Sequence, residues 1–176
     1  MTEDQLIKQC SAGNRNAQRL LYERYAANMF GVCRRYIKNE ADAEEVLVSG
    51  FYRVFHSLTL YKGNGSFEGW IRRIIVNEAL TLIRKQNTQK NFTWDELDTA
   101  YQGTSNEHPD SKIAEGDVLQ LLNHLPNGYR TIFNLYAIEG YSHDEIAVML
   151  KISINTSKSQ LLKARRMLQK LIGKTV

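Results

Sequence analysis

The sequence predicts an all-α fold made of two small helical domains on an acidic tether. Apolar residues recur at three- and four-residue spacing along most of the chain, and no stretch alternates at strand period. Charge is also segregated. Residues 91–117 carry seven Asp/Glu against Lys112 alone, whereas residues 151–176 carry seven Lys/Arg and no acidic residue.

The elements follow in order. Thr2 and Gln5 form a capping box for a short first helix, which Gly13-Asn14 ends. A long helix is expected over 16–38, with Leu20, Leu21, Tyr25, Val32, Cys33 and Tyr36 as its buried stripe. Asn39 starts a third helix, with Asp42 and Glu44 complementing its positive end and Val46, Leu47, Phe51, Val54, Phe55 and Leu58 facing inward. Residues 61–66, "YKGNGS", read as a loop because Gly and Asn favour turns. Ser66 caps a fourth helix over about 67–86 that buries Phe67, Trp70, Ile71, Ile74, Ile75, Leu82 and Ile83. Arg72, Arg73, Asn77, Arg84 and Lys85 are left for its polar face.

Periodicity fails from residue 87 to 110, a polar and acidic stretch with Gly103 and Pro109. Its aromatics Phe92, Trp94 and Tyr101 suggest docking. A second helical unit spans about 111–172, with Pro126 in the first turn of its second helix. Within it, Ser142 and Glu145 form another capping box, and Ile146, Ala147 and Leu150 make an apolar face. The turn "KIS" follows, Ser153 caps the next helix, and every charge from Lys151 onward is basic. Two short-linked helices, the second basic, have the form of a helix-turn-helix. A solvated basic surface helix is the competing reading; the caps and the turn length favour the motif.

With 176 residues, a formal charge of +4 and a pI near 9.0, the chain suits one or two small domains and a polyanionic partner. Cys10 and Cys33 read as buried, reduced thiols, and the four histidines form no metal-spaced cluster with them. The acidic N-terminus resembles no signal peptide, and no run of about 18 apolar residues occurs. A soluble cytoplasmic protein is expected. Paired carboxylates Glu44-Glu45 and Asp95-Glu96 do not face each other on a helix, and phosphate-loop, zinc-protease and nucleophile-elbow motifs are absent. Neither an enzyme nor a cofactor is expected.

Two surfaces suit nucleic acid. The N-terminal half of the last helix suits duplex DNA, with Asn155, Thr156, Lys158 and Ser159 toward base edges and phosphates. Lys163, Arg165 and Arg166 lie farther along; because Arg165 and Arg166 are adjacent, only one faces the groove. The loop and fourth helix interleave aromatic and basic groups, a mixture suited to single strands.

These residues resemble a known family. "ADAEEVLVSGFYRVFHSL…FEGWIRRIIVNEALTLIRK" is similar to region 2, and "LPNGYRTIFNLYAIEGYSHDEIAVMLKISINTSKSQLLKARRML" to region 4, of the extracytoplasmic-function (ECF, group IV) RNA polymerase sigma factors. The resemblance covers nearly the whole chain. It implies a region 2-like bundle over 1–88, an acidic linker over 89–110 and a region 4-like helix-turn-helix over 111–176. It implies core RNA polymerase, held at clamp and flap, and promoter DNA as partners, together with an anti-sigma factor. Clamp contacts fall on Asp42, Glu45, Val48 and Ser49, although the family usually has Gln and Asp/Glu where Val48 and Ser49 stand. Contacts to the single-stranded −10 element fall on Tyr61, Lys62, Asn64, Phe67, Trp70, Arg73 and Asn77. Contacts to the −35 duplex fall on Asn155, Thr156, Lys158, Ser159, Leu162, Lys163 and Arg166. Asn155 and Gln160 replace the family's usual Gly and basic residue, so the −35 preference is expected to differ; beside the −10 residues, Gly69 replaces a commoner Thr. The acidic linker fits a positively charged RNA channel. Two other readings stand beside this one: a stand-alone helix-turn-helix regulator, and a nucleic-acid-processing enzyme.

Overall fold

A computed structural model describes residues 1–90 and 115–173, and the side chains of all of these but 115–117. Among the described residues the chain is helical with no strand, as expected, and it divides into two compact units, 1–84 and 85–176. The linker residues Phe92, Trp94, Asp95, Glu96, Asp98, Tyr101, Gly103, Pro109 and Asp110 lie outside the described residues.

In the first unit, α1 (Glu3–Ser11) begins at the Thr2–Gln5 capping box, with both reciprocal hydrogen bonds present. The helix is pinned to α2 (Arg15–Tyr36) where Tyr25 Oη donates to the Glu3 carboxylate at 2.5 Å. Burial first, and then that carboxylate, push the Tyr25 pKa up to about 12, which keeps the phenol protonated as the donor. Asn39 caps α3 (Glu40–Ser57) by accepting from the Asp42 N–H at 3.0 Å. A 3₁₀ turn (Leu58–Leu60) leads into the loop, and α4 (Phe67–Gln89) follows.

The core is the set of inward stripes: Leu6, Leu21, Met29, Cys33, Phe51, Val54, Ile71 and Ile75 are all nearly inaccessible. Gly50 is a point of close approach between α3 and α4, since a Cβ there would lie 2.3 Å from Ile75 Cδ1. Both cysteines are free and buried, and burial raises the Cys33 thiol to about 12, so it stays an unreactive thiol.

Four details differ from the sequence reading. Leu20 is 42% exposed: on a 22-residue helix the stripe drifts, and Ala17 and Met29 take the inward places instead. Phe55, Ile74 and Leu82 are only half-buried. Helix α4 continues three residues past 86, because no Gly or Pro stands between 70 and 102 to stop it. Pro126 sits at the N-cap, one place before the first turn.

The second unit contains α5 (Glu115–Asn123), α6 (Asn127–Phe133), α7 (His143–Leu150) and α8 (Ile154–Gly173). Leu122, Leu125, Tyr129 and Ala164 form its core, flanked by Phe133, Met167 and Leu168. Arg130 is 2% exposed and donates to the side-chain carbonyls of Asn123 and Asn127, joining α5 to α6; its burial lowers its pKa to about 10. Helix α6 runs into a single π-helical turn (Asn134–Ile138), an uncommon widening of the helix.

Helix α7 starts at the Ser142–Glu145 capping box, as expected. It stops at Lys151, whose φ of 56° is left-handed, while the Ile152 N–H bonds back to the Ala147 carbonyl at 3.0 Å. Ser153 caps α8 by accepting from the Thr156 N–H at 3.0 Å. The two helices pack together, with Ile146, Ala147 and Leu150 of α7 and Leu161 of α8 all buried, and they are joined by a polar bond in which His143 Nδ1 lies 2.8 Å from Ser157 Oγ.

Two stability changes are expected in this unit. A left-handed backbone strains any residue with a Cβ, so Lys151→Gly should raise the unit's unfolding free energy by about 0.5–1 kcal/mol in urea denaturation, and Lys151→Val should lower it. The His143 pKa lies below its usual 6.5 because of burial first, and then the charges of Lys158 and Arg165. The unfolded chain therefore binds this proton at higher pH than the folded one. Stability should be full above about pH 7.5 and fall as pH drops below the unfolded value. His143→Asn should flatten that slope, read by denaturation followed at α7 and α8 NMR resonances.

Candidate nucleic-acid interface

The first surface is built on a tight loop. Gly63 and Gly65 hold φ values of +73° and +83°, closed to most side chains, so the turn depends on them. Tyr61 Oη donates to the Gly65 carbonyl at 2.9 Å and closes the loop on itself. Ser66 Oγ accepts the Gly69 N–H at 3.0 Å and starts α4; a Cβ on residue 69 would stand 2.9 Å from that hydroxyl, so glycine here leaves the cap its room.

Three rings cluster at this junction: Tyr61–Phe67 at 5.0 Å, Tyr61–Trp70 at 5.5 Å and Phe67–Trp70 stacked at 5.6 Å. Phe67 is buried, as its place on the inner face of α4 predicts, and this conflicts with its second expectation as a strand contact. It is 1% exposed and packs edge-on against Tyr25, so it offers no face to a base. It forms a floor under Tyr61 and Trp70, which stay half-buried and keep part of their rings at the surface. Lys62 and Asn64 are exposed on the loop. Arg73 and Asn77 are exposed on α4, three and seven residues after Trp70, and thus continue one stripe. Rings beside cations along one track suit a splayed, negatively charged strand.

On α3, Glu45 and Val48 are exposed and Asp42 and Ser49 half-buried. Val48 is 62% and Tyr52 64% exposed, one turn apart. Val48 borders an open groove of about 380 Å³ that Tyr22, Ala26, Phe30, Leu47 and Glu44 also line. An exposed apolar strip beside a groove has the chemistry of a protein contact. Val48 therefore replaces an expected polar contact with an apolar one. Tyr52 was missed by the sequence reading, although its four-residue spacing from Val48 marks the same face.

The second surface is on α8. Asn155, Lys158, Ser159, Leu162 and Arg166 are all exposed, at steps of three and four residues that place them on one side. Thr156 is half-buried, and its hydroxyl lies 2.8 Å from that of Ser153, within the cap. Lys163 is half-buried. Gln160 is 1% exposed and buried along with Leu161 and Ala164, so it does not reach the duplex-facing side, contrary to the expected effect on −35 preference.

The adjacent arginines divide. Both are exposed, but the Arg165 guanidinium lies over the Tyr136 ring, 5.6 Å from its centre. That ring in turn stacks on His143 at 4.6 Å and 23°. The sequence reading missed Tyr136, His143 and Ser157, whose spacings across two turns carry no periodic signal. Among the described residues no group of His, Cys, Asp or Glu is arranged to hold a metal ion, and no helix is long and apolar enough to cross a membrane.

Comparison with known proteins bears on both surfaces. The Sigma-70 region 2 family matches residues 21–89 and the Sigma-70, region 4 family matches residues 115–168. The ECF RNA polymerase sigma-E factor of Haemophilus influenzae is 26% identical, over 98% of this chain and 96% of that protein. The RNA polymerase sigma-H factor of Pseudomonas aeruginosa is 24% identical, over 97% and 93%. Among solved structures, the sigma factor RpoE of Bartonella quintana, in complex with the anti-sigma factor NepR, superposes with a TM-score of 0.54 at 18% identity, over 88% of this chain and 96% of that one. CnrH, in complex with the cytosolic domain of CnrY, superposes with a TM-score of 0.50 at 22% identity, over 97% of both chains. With region 2 ahead of region 4 in one chain, and ECF relatives aligned from end to end, the chain belongs to the ECF sigma factors of the sigma-70 family.

Proposed function

We propose that the chain binds core RNA polymerase and directs it to promoters, reading the −10 element as a single strand and the −35 element as duplex, with no catalysis of its own and no cofactor. It acts in the cytoplasm. The observation that carries this reading is the pairing of two unlike surfaces in one chain: a ring-and-cation stripe on the loop and α4, and a capped helix-turn-helix with a cationic outer face. A regulator that only holds duplex has no use for the first.

The roles divide by segment. Residues 1–88 hold the clamp through Asp42, Glu45, Val48 and Ser49, joined by Tyr52. The same segment captures the −10 strand through Tyr61, Lys62, Asn64, Trp70, Arg73 and Asn77, with Phe67 supporting the rings from below. Residues 89–110 form the acidic tether that follows a basic RNA channel. Residues 111–176 meet the polymerase flap and read the −35 duplex through Asn155, Lys158, Ser159, Leu162, Lys163 and Arg166, with Thr156 serving the cap. The complex of RpoE with the anti-sigma factor NepR supports an anti-sigma factor as a further partner.

In vitro transcription with core enzyme on a promoter library tests the whole reading. Promoter-specific transcripts that need this chain are expected, whereas tight duplex binding without polymerase and no specific initiation would favour the stand-alone regulator. Arg73→Ala with Asn77→Ala should spare folding and polymerase binding but reduce open complexes about tenfold or more, partly persisting on a pre-mismatched −10 bubble, because strand capture is lost along with melting. Full opening by this double variant would show that the stripe is merely solvated. Lys158→Ala should cost about 1–3 kcal/mol of −35 binding, and Lys170→Ala much less, measured by duplex competition.

A further inference from the structure

Four side chains form a continuous chain of contacts behind the −35 face. Ser157 is fully buried and its hydroxyl meets His143 Nδ1 at 2.8 Å. His143 stacks on Tyr136, and Tyr136 carries the Arg165 guanidinium over its ring. The chain begins and ends on α8, at residues eight apart, or about 12 Å along the helix axis. It passes through the first residue of α7 and through the π-helical turn. Buried apolar contacts alone leave a helix free to settle at slightly different rolls. A buried hydroxyl does not, because turning it off its partner leaves it unsatisfied.

We propose that His143 is a positioning residue for duplex recognition, setting the roll of α8 through Ser157 and through the Tyr136–Arg165 stack so that Lys158, Ser159, Leu162 and Arg166 point outward together. The proposal rests on the promoter reading given above and adds a residue that touches no DNA. Ser157 immediately precedes Lys158, so a rotation about the helix axis that breaks its bond also moves that lysine. Tyr136 holds Arg165 aside, which leaves Arg166 as the member of the pair that faces the duplex. The groups facing His143 are Tyr136 from the turn, Lys158 and Arg165 from α8, and Asp144 and Glu145 from α7. At neutral pH the imidazole is uncharged, a state favoured by its burial and by the two cations.

The test uses polymerase holoenzyme carrying the full chain, with the −35 duplex recovered from the promoter library and a scrambled duplex as probes; the ratio of the two affinities is the readout. His143→Phe keeps a ring against Tyr136 and removes the bond to Ser157. Ser157→Ala removes the hydroxyl. His143→Asn keeps a hydrogen-bonding atom near the Nδ1 position. The ratio should fall about tenfold in His143→Phe and in Ser157→Ala, fall no further when the two are combined, and stay within about twofold of the parent in His143→Asn. Affinity for scrambled duplex should stay unchanged, since the surface cations remain.

A second arm needs no DNA: by ¹⁵N NMR, the His143 ring should titrate below 6.5 in the parent, and its tautomer signature should change in Ser157→Ala. Parent-like discrimination by His143→Phe, additive effects of the two single changes, or an equal loss on scrambled duplex would overturn the proposal. A library that returns no promoter would sink the promoter reading and this role with it, while coupled His143 and Ser157 signals would still establish the bond itself.

Discussion

The roll of a helix about its own axis decides which of its residues meet a partner, and in this protein the roll is set by what each helix buries. On α4, Phe67, Ile71, Ile75 and Ile83 are nearly inaccessible. Once those side chains are inside, the stripe of Trp70, Arg73 and Asn77 has one direction left to face. On α8, Ser157, Leu161 and Ala164 do the same for Lys158, Leu162 and Arg166. Both candidate surfaces are therefore consequences of packing. A substitution on the buried side moves the exposed side without touching it, which makes distant and silent-looking positions functionally important in folds of this kind.

Caps translate that packing into register along the chain. Thr2, Asn14, Asn39, Ser66, Ser142 and Ser153 each place an oxygen on a free N–H of the first turn, and each sits at a helix start. A helix that starts one residue late is turned by about 100°. The short connection between α7 and α8 shows how little slack remains: Lys151 takes a left-handed backbone, and Ser153 caps the next helix two residues later. The strain at Lys151 is accepted there because the αL stop aims α8.

These local rules explain how much of the molecule was legible in its sequence. Five of the caps and the number and order of the helices follow from residues a few positions apart, so reading the chain locally found them. Leu20 was misplaced because a 3.6-residue helix drifts against any fixed spacing over 22 residues. Phe67 was read as a base-stacking ring because sequence shows that rings are interleaved with cations but not which ring lies underneath. Gln160 was tied to −35 preference through the family's basic residue at that position, and its burial at 1% exposure is set by the packing of α8, which a residue-by-residue match does not show. The contacts of Tyr136, His143, Ser157 and Arg165 were invisible, since they join residues 7, 14 and 29 positions apart across turns whose geometry no periodicity encodes.

Charge completes the logic. The cations that would meet phosphate stand on exposed arcs of α4 and α8, and residues 91–117 gather seven Asp/Glu against Lys112 alone. In a single polyanion-binding chain, a carboxylate placed on either arc would repel the partner and pair with the neighbouring cations. Asp144 and Glu145 avoid this by serving the start of α7, where the helix dipole favours negative charge and Glu145 completes the capping box. The uncharged imidazole of His143 stands between Asp144 of α7 and the α8 cations Lys158 and Arg165, where a fixed charge of either sign would favour one side over the other. A neutral side chain with both ring faces and a hydrogen-bonding nitrogen meets that requirement, and it does so while holding the buried hydroxyl that sets the roll of α8.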